Sequence, residues 1–137
     1  MVMIRAFVFI ALLGFTVGCG DDIVPTTPTP DRPQISEPPI SGTLTVNGGA
    51  THSFTTGSGL ITVTITSLSP NSEARIGLSL GTFNNNGACQ VVIANDSATQ
   101  GTSVVGNAST TGSFCARVYD VGQLGAPTDY GLTVVHF

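Results

Sequence analysis

The sequence predicts an all-β fold, a jelly-roll-like β-sandwich of about eight antiparallel strands, and three observations predict it. Past residue 41, apolar residues alternate with polar ones two by two. The pattern is clearest where Ile61, Val63 and Ile65 interleave with Thr62, Thr64 and Thr66. Successive strand side chains point to opposite faces, so this period marks half-buried strands. Turn signals recur about every 8–12 residues, the spacing of a sandwich. Composition agrees: only 9% of residues are charged and 17 are Gly. Thr suits a pleated sheet and Gly and Asn suit turns, whereas Gly and β-branched residues disfavour helices.

The N-terminal part is a different kind of polymer. Residues 1–19 read as a lipoprotein-type signal peptide. Arg5 supplies a positive start, and the apolar run Ala6–Val17 has 12 residues. About 20 are needed to cross a bilayer, so the run fits an export signal. Thr16-Val17-Gly18-Cys19 resembles a bacterial lipobox, with Thr16 in place of the usual Leu. The resemblance implies lipidation of Cys19 and, through Gly20 after it, an outer-membrane destination. The alternative is ordinary cleavage near Gly20 and free secretion. Residues 20–41 hold six of the eight prolines, Pro25, Pro28, Pro30, Pro33, Pro38 and Pro39. Proline lacks an amide donor, and this run has too few apolar residues to offset the entropy of ordering. A disordered Pro/Thr-rich linker is expected.

The domain is expected over 42–137. Thr43–Val46 reads as a strand ended by Asn47-Gly48-Gly49, a turn signal. Thr51–Thr56 follows, with His52 and Phe54 on one side, then Leu60–Leu68, stopped by Pro70-Asn71. Ile76, Leu78 and Leu80 mark the next strand, before the loop Asn84-Asn85-Asn86-Gly87. Cys89–Ala94 and Thr102–Gly106 come next. The last two strands, in Gly112–Val135, read as a hairpin around Val121–Thr128. Phe114, Ala116 and Val118 share one side of its first strand; Tyr130, Leu132 and Val134 share one side of its second.

Cys89 and Cys115 form the expected disulfide. With Cys19 lipidated or removed, an exported chain is left with an even pair. One tension accompanies the pairing. Cys115 shares a side with Arg117, but Cys89 shares one with Val91 and Ile93. Either those two face outward or a bulge resets the phase.

The order of Gly42-Thr43-Leu44, His52-Ser53-Phe54, Leu60-Ile61-Thr62-Val63, Leu78-Ser79-Leu80, Gly112-Ser113-Phe114 through Arg117-Val118, and Tyr130-Gly131-Leu132-Thr133-Val134 resembles bacterial pre-peptidase C-terminal (PPC) domains. The resemblance implies a small sandwich on a secreted protein, accessory to peptidases in trans. Arg75-Ile76-Gly77 stands where many members carry an Asp-Leu-Asp run used for calcium.

Net charge is −4, and the four basic residues (Arg5, Arg32, Arg75, Arg117) are scattered. Nucleic acid and acidic lipid surfaces require clustered cations, so neither is an expected partner. No cofactor or metal is expected; Asp120 and Asp129, with Asp96 beside them in interest, are weak calcium candidates. A His52, Ser53 and Asp129 set lacks a nucleophile-elbow motif, and no enzyme is expected. The asparagines of Asn95-Asp96-Ser97 and Asn107-Ala108-Ser109 match a glycosylation sequon that a bacterial lipoprotein need not use. The resulting expectation is a non-enzymatic, lipid-anchored or secreted cell-envelope protein with an interaction sandwich. It would meet the membrane through its lipid and take a protein or glycan partner. The alternative is a surface glycan-binding module using Tyr119 with Asn84, Asn85 and Asn86.

Overall fold

The structure, a computed structural model, describes residues 32–137. Cys19, the signal peptide and residues 20–31 of the linker lie outside the described residues. Nine strands are present: β1 (Ile35–Ser36), β2 (Ile40–Leu44), β3 (Gly49–Thr56), β4 (Gly59–Ser69), β5 (Ile76–Phe83), β6 (Cys89–Ala98), β7 (Ser103–Ala108), β8 (Gly112–Tyr119) and β9 (Thr128–His136). They form two antiparallel sheets. One runs β1-β9-β4-β7, with β2 also paired to β9; the other runs β3-β8-β5-β6. From β2 onward this is the double Greek-key winding of a jelly roll.

The core follows from the alternation. Ile61, Val63 and Ile65 of β4 meet Ile76, Leu78 and Leu80 of β5, Val118 of β8, and Leu132 and Val134 of β9, each at most 3% exposed. Each such side chain contributes about 1.5–3 kcal/mol on burial. In β4 the register shifts between Ile65 and Ser67. The extra residue returns Leu68 to the core side, where strict alternation from Ile65 would have turned it out.

Three expectations are corrected. The final pair of strands is not a hairpin: β8 pairs with β3 and β5, while β9 pairs with β1, β2 and β4. Among the described residues, β5 and β6 are the consecutive strands that share a ladder. Second, the strand expected at Thr43–Val46 is Ile40–Leu44, and the expected turn at Asn47-Gly48-Gly49 follows it and carries the chain between sheets. Asn47 takes a positive φ of 57°, and Gly48 N–H donates to the Thr45 carbonyl at 2.9 Å. Third, ordered pairing begins before Gly42. Ile35 and Ser36 pair with His136 and Val135, and Ile40 pairs with Leu132. The prolines at 38 and 39 sit between these two short ladders, where no ladder donor is required.

The disulfide is present, and a bulge resolves its phase. Cys89 and Cys115 are bonded with Cα atoms 5.8 Å apart. Leu80 pairs with Ile93 but Gly81 pairs with Val91, so Val92 is the extra residue. Ile93 faces the core and packs against it; past the bulge, Val91 and Cys89 lie on the outer face. Cys115 pairs with Gly81 on that same outer face. A Cβ at Gly81 would lie 2.7 Å from the carbonyl carbon of Gln90 and 2.9 Å from Val91 Cα. The glycine thus lets β6 fold over β5 and bring Cys89 within reach of β8.

Candidate binding cleft

At the β6 and β7 edges the two sheets part and leave a cleft of about 280 Å³. Its floor is Ile61 and Ala108 of one sheet and Leu80, Ile93 and Phe114 of the other. Their inward positions follow from the alternation that builds the core. Gly106 lies between them, where a Cβ would stand 2.7 Å from a Leu80 methyl. The bulge residue Val92, 70% exposed, forms part of the rim, and Asn107, Ser109 and Thr110 bring polar groups to the mouth. Among the described residues no ionisable side chain lines it. Such a cavity binds by apolar contact and selects by its few polar groups.

Tyr119 and the asparagine loop do not converge. Tyr119 pairs with Gly77 at the start of β5, whereas Asn84 follows its last residue, Phe83. Seven strand residues at about 3.3 Å each separate them by roughly 20 Å. Each is occupied locally. A Cβ at Gly77 would fall within the Tyr119 ring, the Arg117 guanidinium lies 5.4 Å from the ring centroid, and the phenol donates to Asp96. Burial, then the Asp96 carboxylate, pushes the phenol up to about 12. Asn84 Oδ1 accepts from Asn86 N–H at 3.1 Å and Ala88 N–H at 2.9 Å, closing its own loop; Asn85 lies in the same turn.

The calcium candidates are likewise taken up. Asp120 accepts from the amides of Asn47, Gly122, Gln123 and Leu124 at 2.8–3.1 Å. These donors, Asn47 first, hold its carboxyl below the usual range. Asp129 accepts from the Thr43 hydroxyl. Among the described residues no three His, Cys, Asp or Glu side chains cluster.

His52, Ser53 and Asp129 are not brought together as a set. His52 Nε2 lies 2.8 Å from the Tyr130 hydroxyl, while Ser53 points to the opposite face of β3. At this β3 edge, opposite the cleft, His136, 3% exposed, stacks on Phe54 at 5.9 Å and meets Glu37 Oε1 at 2.8 Å. Its Nδ1 is buried and has no partner among the described residues. Glu37, Pro38, Pro39 and Ile40 pass over this edge as a strap beside His52 and Phe54.

Sequence reasoning missed the cleft. The signal available was the doublet Val91-Val92, which breaks the two-residue alternation and marks the bulge that puts Val92 on the rim.

No family model matches the chain, and no curated protein matches it. Among solved structures it is similar to PliG of Aeromonas hydrophila, a periplasmic lysozyme inhibitor of g-type lysozyme. Identity is 15% over 72% of this chain and 83% of that one, with a TM-score of 0.49. That likeness carries no functional inference.

Proposed function

We propose that the chain is a non-enzymatic, exported cell-envelope protein whose jelly roll serves as an interaction module. The observation that carries this reading is the Cys89–Cys115 bond, because such bonds persist in oxidising compartments. The apolar run Ala6–Val17 supports the same compartment. The ionisable groups of the sandwich support the interaction role. Asp120 holds loop amides, Asp96 holds Tyr119, Glu37 holds His136, and His52 meets Tyr130. Each carries structure, and the uncharged cleft is left as the place to receive a partner.

The finer reading is a lipoprotein anchored through Cys19, displayed at the outer membrane on the Pro/Thr-rich linker. Three acyl chains would hold it stably, since one chain binds only marginally. The motif order shared with PPC domains supports a place beside secreted enzymes. Metabolic labelling with a fatty-acid analogue tests the anchor. Wild-type protein should label and sediment with membranes, and Cys19→Ser should do neither. A labelled Cys19→Ser variant would overturn the anchor.

A further inference from the structure

We infer that the β6/β7 cleft is a binding site for a neutral, apolar small molecule and that the Cys89–Cys115 bond shapes it. This rests on the interaction-module reading.

The ligand class follows from size and charge. A dry cavity of about 150 Å³ takes benzene. The present cleft, at about 280 Å³, has room for two fused rings or an acyl segment of that bulk. Among the described residues no ionisable side chain lines it, so a charged guest would lose its hydration with no partner in return. A neutral guest meets Ile61, Leu80, Ile93, Ala108 and Phe114 along its length. One hydroxyl or carbonyl on it would reach the polar mouth at Asn107, Ser109 and Thr110.

The disulfide enters through β6. Gly81, Thr82, Val92 and Ile93 form the wall of the cleft on this side. The bulge at Val92 carries the rest of β6 over Gly81 to Cys89, and Cys89 is fixed to β8. With the bond in place, Val92 is held at the rim and Ile93 is turned inward. When a dithiol reduces the bond, two electrons and two protons pass to the cysteines and the dithiol closes to its own disulfide. The start of β6 is then free to leave Gly81 and let the rim collapse.

Naphthol, neutral near physiological pH, is the probe, added to the full-length exported protein and followed by methyl NMR. Saturable binding is expected, with shifts centred on Leu80, Ile93 and Ala108. Reduction by dithiothreitol should weaken it at least about tenfold while strand dichroism persists. Val92→Glu, an exposed change that keeps the disulfide, should weaken it by about threefold to tenfold by setting a charge at the rim. No saturable binding, or shifts located elsewhere, would overturn the site. Unchanged affinity after reduction, or loss of all strand dichroism, would overturn the role of the bond. Cys19 labelling reads the anchor independently, so the two readings fail separately.

Discussion

His52 Nε2 and Tyr130 Oη meet at 2.8 Å, and this bond joins β3 of one sheet to β9 of the other. Burial holds the His52 imidazole below its ordinary 6.5 and holds the Tyr130 phenol above its ordinary 10.0. On the acid side the unfolded chain takes up a proton before the folded one does. The His52 contribution is complete above 6.5 and is lost as pH falls toward the depressed folded value. On the alkaline side the unfolded phenol ionises first, so stability falls as pH rises through 10.0. Urea midpoints should be level between these limits and decline on both sides. His52→Gln should abolish the decline just below 6.5 and leave the alkaline one.

Gly81→Ala should destabilise the domain by about 2–4 kcal/mol, because its new methyl meets the backbone of Gln90 and Val91 and no side chain can yield. Gly87→Ala is the control. Its φ is +77° but nothing lies within 4 Å, so the cost is backbone strain alone, about 1–2 kcal/mol. Denaturant titration of the two variants separates crowding from strain.

Replacing both Cys89 and Cys115 by Ala should lower stability by about 3–4 kcal/mol on the chain-entropy estimate. The bond closes a separation of 26 residues. The expected result is a lower denaturant midpoint with strand dichroism retained. Hydrogen exchange should rise first at Cys89–Val92, the segment the bond holds over Gly81.

Glu37→Ala should leave buried His136 with neither ring nitrogen bonded, since Nδ1 already has no partner among the described residues. Leaving a buried polar group unsatisfied costs about 1–3 kcal/mol. Exchange should accelerate at the amides of Ser36 and Glu37, with β4 and β5 unchanged.

The strands with strict alternation were legible in the sequence. Ile61, Val63 and Ile65, then Ile76, Leu78 and Leu80, name their own buried side, and Cys parity named the disulfide. Pairing was not legible. Tyr119 and Thr128 bound a turn-rich connection that looks like a hairpin, but a period of two says which side a residue faces, not which strand lies beside it. Crossing to the other sheet leaves no local mark. The bulge at Thr66 left no mark for a related reason, since one added residue changes face without changing composition, whereas the one at Val92 showed in the Val91-Val92 doublet and in the mismatched sides of Cys89 and Cys115. The β6/β7 cleft has the Val92 bulge on its rim. The Tyr119–asparagine grouping failed because residues joined by one continuous strand stand at its opposite ends.

The strap of β1 and β2 has a mechanical consequence. Tension entering at residue 32 reaches first the Arg32 contact to the Ser58 carbonyl, then a ladder of two residue pairs, then one of five. These would peel in turn before any load falls on β4 or β5. Releasing residues 35–44 would extend the segment ahead of β3 by about 30 Å. Release of β1 alone would leave the hydrophobic interior closed, because Ile35 and Ser36 are both exposed, whereas release of β2 would draw the buried Leu44 out of it; the Glu37–His136 bond stands between these two steps.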